Sequence, residues 1–546
     1  MLSGLPAPIR LDGPTPKLAT PFAQTAFLPP PEHVHGDSSR IEVLGMSMEL
    51  GERAEWDSKA QGPLFAYHLH QQEYLRLASF DADSRAHRIR DWIQSHPAGT
   101  GWDPHPISLR LLCWGKLLLT PDGLPDEASF RAEVLRSMAD QVATLVAGLE
   151  VRLQANHLLS NLLSIVWGGV LVDNEESARW RGHASLLVDE LDAQIHPDGG
   201  HEERSPMYHS LLLENILDLF NVCSATPGRA PAGLEDALES TAGRMIDALD
   251  VLTHADGQIA LFADSALGIA ATPSALADYA RRLGIQPLAS RAGHNSALLP
   301  QTGYLRLASV DFDLIASVAA PAPAHQPGHA HCDALSFELS IRGQRLITDT
   351  GLYEYLPGER RDLARTTASH STIQIDGSEQ AEVWAAHRVG GRPDVNILAW
   401  ESSGAAEASC KGWLNGSPLH RRLFRVDGSG AELQDRIEGT CQEVVSRLYF
   451  APEWTVDLER VGDDLGNGTF LGWVATARDH EEASPAVRIE LPASFEWAVE
   501  FAPYYPSFGC EISRPALIGR SSTARESIIR FSVADPISDS RKVRDL

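Results

Sequence analysis

At 546 residues, with 46 Lys and Arg against 73 Asp and Glu, the chain has a formal net charge of −27 and is too long for one hydrophobic core, so two large domains or three smaller ones are expected. The acidic surplus argues against nucleic acid or an anionic membrane surface as a partner, and it favours a sparsely charged ligand over a densely sulfated polyanion. No window approaches the roughly eighteen uninterrupted apolar residues of a membrane span, and no basic-then-apolar leader opens the chain, so a cytoplasmic protein is expected, or a periplasmic one if the start is truncated.

In chain order, residues 1–40 are Pro-rich and aperiodic and read as an extended arm laid on a surface. From about 64 to 290 the pattern is helical. Val134–Leu153 repeats apolar residues at three and four, through Val142, Leu145, Val146, Leu149 and Leu153, and Asn156–Val172 does the same. Ser205-Pro206-Met207-Tyr208 opens another helix, since serine suits the N-cap and proline the first helical position. Further helical windows fall at 176–195, 233–253 and 274–284. Many antiparallel helices with short Gly, Pro and Asp links predict a toroid or partial barrel over 41–290, whose concave centre is a natural groove.

The texture changes across 287–302, where the domain boundary is placed. Tyr304–Ala308 and Asp313–Val318 read as strands, and Leu335, Phe337, Leu339 and Ile341 alternate with polar residues. Similar runs at 371–375, 421–426, 444–450 and 526–532, separated by Asp-Gly, Asn-Gly and Gly-Ser turns, predict an antiparallel β-sandwich over 296–546. The fold class is therefore multidomain α+β, an N-terminal helical toroid or partial barrel followed by an antiparallel sandwich. The six cysteines are scattered with no CxxC pair and read as reduced, mostly buried thiols, Cys332 among them.

Titratable groups crowd residues 328–380: His329, His331, Asp333, Asp349 and His370. Imidazole and carboxylate at that density can hold a transition-metal ion and leave a group for proton transfer. His329, His331 and Asp333 share parity with Leu335 and Phe337, so an extended backbone would put them on one face. In the helical half, Tyr208 lies in the first turn of its helix, where unpaired amides and the macrodipole favour a phenolate, with Arg204 nearby. Asn156-His157 stands between two helical runs and suits capping as well as catalysis. Trp102, Arg110 and Trp114 could line a sugar groove, as could Trp56, Tyr67, His68 and His70, because aromatic faces stack on sugars and guanidinium forks hold carboxylates.

Gly-His-Ala-His-Cys-Asp-Ala-Leu-Ser-Phe-Glu-Leu, then Thr-Asp-Thr-Gly-Leu-Tyr and Ala-Ser-His-Ser-Thr, resembles the signature of the heparinase II/III family of polysaccharide lyases. Asn156-His157-Leu158-Leu159 and the run from Gly199-Gly200-His201 to Tyr208-His209 resemble two further blocks of that family. The resemblance implies an incomplete (α/α) toroid followed by an antiparallel β-sandwich, and β-elimination on a uronic-acid-containing polysaccharide. It implies Asn156, with His157, as the carboxylate-neutralising pair, Tyr208 as acid and in some substrates base, and His329 as the other base. It also implies a structural zinc ion on His331, Asp349 and His370, and a substrate groove to which Arg110, Arg204, Trp102 and His70 are assigned. Cys332 and Ser371 depart from the family pattern. Relatives without a leader accompany exopolysaccharide synthesis, so an endogenous glycan is expected, with the oligomeric state open. Three rivals stand beside this reading: a non-catalytic glycan-binding protein of the same fold, a non-haem Fe(II) oxygenase using His331, Asp333 and His370, and a glycoside hydrolase whose carboxylate pair would be Asp198 with Glu202 or Glu203, too close on one short loop to straddle a sugar ring.

Overall fold

A computed structural model describes residues 7–19, 24–58, 60–287, 296–462, 470–480 and 485–534. Parts of the expected arm and of the expected boundary at 287–302 lie outside the described residues. The chain divides into two compact units: Met1–Glu202, Tyr208–Asp247 and Gly268–Leu288 form the first, and Glu203–Met207, Ala248–Leu267 and Ala289–Leu546 the second. Two short segments of the helical half, 203–207 and 248–267, thus belong with the sheets.

In the first unit residues 9–11 lie along a helix. The Ile9 amide donates to Thr144 Oγ1 and the Leu11 amide to Asp140 Oδ1, both on Ala128–Ala147. A small antiparallel sheet of Val34–Gly36, Arg40–Val43 and Met46–Glu49, not foreseen from the sequence, precedes the helices. The helices run Gly62–Gln71, Ala82–Ser95, Pro104–Leu119, Ala128–Ala147, Ala155–Leu171, Ser177–Arg181, Ala184–Gln194, Pro206–Ala225, Leu234–Val251 and Pro273–Arg282. Each window named from periodicity overlaps one, although 176–195 holds two and the 134–153 window outruns its helix, which ends at Ala147 and leaves Leu149 and Leu153 outside it. Ala155–Leu171 is buried on nearly every side, the mark of a central helix. Its neighbour Pro104–Leu119 approaches closely because Gly115 has no side chain: a Cβ there would meet Trp167 Nε1 at 2.4 Å. This unit is an incomplete (α/α) toroid.

The second unit is an antiparallel β-sandwich built from three sheets. One is a five-stranded meander: Gln344–Ile347, Phe337–Ile341, Phe312–Ser317, Tyr304–Ala308 and Ala297–Leu299. An eight-stranded sheet orders Asp394–Glu401, Ala405–Lys411, Leu419–Asp427, Gly430–Glu438, Glu526–Val533, Val487–Leu491, Phe470–Asp479 and Trp454–Gly462. A third holds Ile373–Ile375, Val444–Tyr449, Ile512–Ser521 and Glu496–Tyr504. Their inward faces share one core, which includes Leu339, Phe424, Leu433, Phe450, Trp454, Ile489 and Phe531. Strand Phe337–Ile341 is buried on both faces. Its polar alternates are not solvent-facing: Glu338 takes His254 Nε2 at 2.8 Å, and Ser340 Oγ pairs with His254 Nδ1 at 2.9 Å. No helix among the described residues is long and apolar enough to cross a membrane.

Candidate active site

The histidine-rich stretch is a series of turns, not the extended run its parity suggested. The Ala330 amide bonds Pro327 O, the Ser336 amide bonds Asp333 O, and Leu335 holds φ +60°, so the strand starts only at Phe337. His329 and His331 nevertheless converge, on Asp264, a carboxylate outside the histidine-rich stretch. Asp264 Oδ2 lies 2.8 Å from His329 Nδ1, and Oδ1 lies 2.8 Å from His331 Nε2. The Arg361 guanidinium grips both oxygens, Nη2 to Oδ2 at 2.9 Å and Nη1 to Oδ1. The Asp264 amide donates to His329 O at 3.0 Å, which locks the segment to the histidine from the backbone side. Burial alone would push the Asp264 carboxyl up. Arg361 and the two imidazole hydrogen bonds outweigh it and hold the group well below the carboxylate range.

His329 differs from its neighbours in exposure. Its side chain is 14% accessible, whereas those of His331 and His370 are fully buried. Its Nε2 stands 3.7 Å from Glu203 Oε2, and its ring is 5.8 Å from that of Tyr355. A histidine oriented through Nδ1 by a buried carboxylate has the arrangement of a proton-transfer group.

His331 and His370 lie with ring centroids 5.5 Å apart. His331 Nδ1 and His370 Nε2 are buried without a hydrogen-bond partner, which fits donors reserved for a metal. Asp349 sits differently from a third ligand: its Oδ2 takes His370 Nδ1 at 2.7 Å, so it orients that imidazole from behind. Burial disfavours charge on both partners, but each overcomes it in the other, raising His370 and lowering Asp349. Burial lowers His331, with Asp264 opposing. Among the described residues no group of three His, Cys, Asp or Glu gathers in a metal-holding geometry, and this includes both the expected zinc set His331, Asp349 and His370 and the set His331, Asp333 and His370. Cys332 is buried, its Sγ 3.6 Å from Ala381 O, so it serves packing.

In the helical unit Asn156 is buried in the first turn of Ala155–Leu171. The two residues before it, Gln154 (φ +60°) and Ala155 (φ +49°), hold the left-handed backbone that non-glycine residues avoid. His157 is part-exposed and its Nδ1 is 3.2 Å from Glu150 Oε1. Tyr208, half-buried, is the third residue of Pro206–Ala225. At the start of that helix Ser265 Oγ accepts the Met207 amide at 3.3 Å, while the expected cap, Ser205, donates to Asp264 O at 2.7 Å. The segment carrying Asp264 therefore also fixes the turn that leads into Tyr208.

The four residues assigned to a sugar groove are spent elsewhere. Arg110 is fully buried and donates to Gln141 Oε1, His70 O and Gly101 O. Trp102 donates Nε1 to His96 O, and His70 accepts from Trp92 Nε1, with burial pushing its imidazole down to about 2. Trp56 and Trp114 are buried as well, bonded to Asp91 and Gln72. Arg204 donates to Thr302 O, Ala320 O, Gly303 O and Ser317 Oγ at 2.5–3.2 Å, and at φ +58° its own carbonyl accepts from the Tyr304 hydroxyl. These are framework residues. Aromatic and arginine types have the right chemistry for sugars, but burial assigns them to the interior.

A helical array and an antiparallel sandwich, with an oriented histidine in one and a strained Asn-His turn in the other, define a two-unit protein of the polysaccharide-lyase architecture. The family models agree: residues 123–281 match Heparinase II/III N-terminus, and residues 291–495 match Heparinase II/III-like, C-terminal. The chain belongs to the heparinase II/III-like family. It is 26% identical over 323 residues to a heparin-sulfate lyase of Pedobacter heparinus, covering 53% of this chain and 47% of that one, so it spans about half the length of that relative. It is 24% identical over 456 residues to FtsZ-localized protein C of Caulobacter vibrioides, covering 78% and 73%. The fold is that of the crystal structure of heparinase III, with a TM-score of 0.66, 16% identity and coverage of 86% and 78%. A heparan sulfate lyase HepC mutant from Pedobacter heparinus gives a TM-score of 0.59 at 18% identity, covering 90% and 80%.

Proposed function

We propose that the protein is a polysaccharide lyase that cleaves a uronic-acid-containing polysaccharide by β-elimination, leaving an unsaturated uronate end. A base removes the C5 proton, the C4–O4 bond breaks as the C4=C5 double bond forms, and an acid protonates the departing O4. The C5 proton is weakly acidic, so the adjacent carboxylate must be neutralised as charge moves onto it. Asn156 and His157 take that role, Tyr208 is the acid, and His329 or Tyr208 is the base according to the C5 configuration. The observation that carries the reading is His329 itself: it is the cluster's part-exposed histidine, and a fully buried Asp264 fixes its Nδ1.

A zinc ion on His331 and His370, with Asp349 orienting His370 from behind, would brace the turns that present His329; it takes no part in the elimination. The test is to incubate the protein with glucuronan, alginate, heparan and other uronans and follow the ultraviolet absorbance of unsaturated ends. Turnover that vanishes in Tyr208→Phe, with the unfolding profile unchanged, supports the assignment. Near-normal turnover in that variant refutes it.

A second reading has one observation in its favour. The relative named for localisation with FtsZ aligns over more of this chain than the lyase does. A binding protein that keeps the lyase fold would retain affinity for a glycan or a protein partner and release no unsaturated product from any uronan. The same incubation separates the two.

A further inference from the structure

We infer that Glu150 is a positioning residue for His157, holding it so that on binding substrate the imidazole lies protonated on both nitrogens between two carboxylates, that of Glu150 and that of the uronate. This rests on the lyase reading for the identity of the ligand. The geometry belongs to the helical unit alone.

Glu150 is almost fully buried and held at both oxygens. Oε1 takes His157 Nδ1 at 3.2 Å, and Oε2 takes Asn161 Nδ2 at 3.1 Å. The same asparagine returns its Oδ1 to the Glu150 amide at 3.1 Å and ties its Nδ2 to Ser108 Oγ at 3.1 Å, so the carboxylate has little freedom to follow a moving imidazole. The strained pair Gln154 and Ala155 makes the turn that brings Glu150 back onto a residue seven positions later. His157 Nε2 has no hydrogen bond among the described residues, and its side chain is 29% exposed. One nitrogen is thus committed to a fixed buried acid while the ring keeps an accessible side.

The titratable groups around His157 leave room for that proton. His105, on Pro104–Leu119, lies with its ring 4.6 Å away, and burial pushes it down to about 3, so it adds no competing charge at neutral pH. Beyond His105 stand Tyr67 and Asp103, joined hydroxyl to carboxylate at 3.0 Å. Burial raises Glu150, but the His157 hydrogen bond and charge, with His105 and Asn161, outweigh it, so the net direction is down and the group is a carboxylate at neutral pH. An imidazole held at Nδ1 by one carboxylate and met at Nε2 by another donates to both only as imidazolium. A charge-assisted hydrogen bond of this kind changes affinity by about ten- to hundredfold.

The experiment uses the full-length Tyr208→Phe protein, so that ligand is bound and not consumed, with a glucuronan oligosaccharide as probe. Nitrogen-15 chemical shifts of His157 are recorded free and saturated between about pH 5.5 and 8, alongside the dissociation constant. The expected result is protonation of both ring nitrogens in the complex across this range. Adding Glu150→Gln should weaken binding about ten- to hundredfold at the alkaline end and recover it at the acid end, where solvent supplies the proton. Adding Glu150→Gln to a His157→Ala background should change nothing further. A complex with one unprotonated nitrogen, a pH-independent loss, or no perturbation of His157 at saturation overturns the inference. Failure of the lyase reading shows separately, as absence of product from the unsubstituted protein.

Discussion

Replacing Asp264 with asparagine separates orientation from chemistry. The two carboxylate oxygens face two pairs of partners: Oδ1 meets His331 Nε2 and Arg361 Nη1, and Oδ2 meets His329 Nδ1 and Arg361 Nη2. Whichever site the new amide NH2 occupies, it confronts one guanidinium N–H and one imidazole nitrogen. Arg361 is fully buried and would lose its counter-charge, a change that costs about 3–5 kcal/mol when one partner of a buried pair is removed. If the NH2 faces His329, Nδ1 becomes the acceptor and Nε2 carries the proton, so the imidazole is no longer a base. Loss of the correct tautomer lowers kcat by about 10²–10⁴. The carboxyl is held below its unfolded value, so its stabilisation is fully present above about pH 4 and is lost as pH falls through the lower folded value. Chemical unfolding at pH 7 reads the stability, and initial rates on the responsive uronan, at a temperature where the variant is folded, read the kinetics. A variant whose kcat stays within about threefold of the parent while its stability falls would reduce Asp264 to a structural role and sink the argument.

Two more outcomes follow from the buried histidines. His331→Ala should remove bound zinc and lower thermal stability together, since its Nδ1 is an unpaired buried donor in the protein alone; metal analysis of purified parent and variant checks this, and a metal-free, equally stable parent would refute the site. In the helical unit, His70 and His209 are buried with imidazoles pushed down to about 2 and about 4, in each case chiefly by burial. Their unfolded forms take up protons below about pH 6.5 while the folded forms refuse them, so each contributes stability that is full above that pH and falls by about 1.4 kcal/mol per unit toward its folded value. Thermal unfolding of parent and His209→Gln between pH 7 and 5 should show the parent losing more; parallel curves would contradict it.

The helices were legible wherever one stripe was apolar, and least where burial was complete. Ala155–Leu171 is legible through its apolar spacing of three and four, yet because the helix is buried on nearly every side that spacing does not say which side meets what. The sandwich strands were legible through alternation, and the exception is instructive. Phe337–Ile341 alternates like a half-exposed strand, but its polar side faces His254. Pattern alone does not distinguish water from a buried imidazole as the partner of Glu338. The small sheet at 34–49 was hidden by strands of three or four residues, too short to build a period.

The site divides along the same line. His329, His331, Asp349 and His370 announced themselves by density, whereas Asp264, Arg361 and Glu150 did not, because each is a single charged residue in an ordinary-looking segment. What distinguishes them is burial with a full set of partners, a property of three dimensions. One local cue was available: a lone aspartate in the apolar run Leu261-Phe262-Ala263-Asp264-Ser265-Ala266 must find counter-charge or stay protonated. The structure supplies that counter-charge from 97 residues downstream, in Arg361, and uses the result to orient His329. Glu150 stands to His157 in a parallel relation, a buried acid fixing Nδ1 of a part-exposed histidine. Each unit thus carries a part-exposed imidazole backed by a buried carboxylate side chain. The difference between them is electrostatic. Asp264 is gripped by a guanidinium as well as by imidazoles, whereas among the described residues Glu150 takes only amide and imidazole donors. On the proposed lyase reading the first would serve as the base and the second as the carboxylate binder, the two jobs a β-elimination requires.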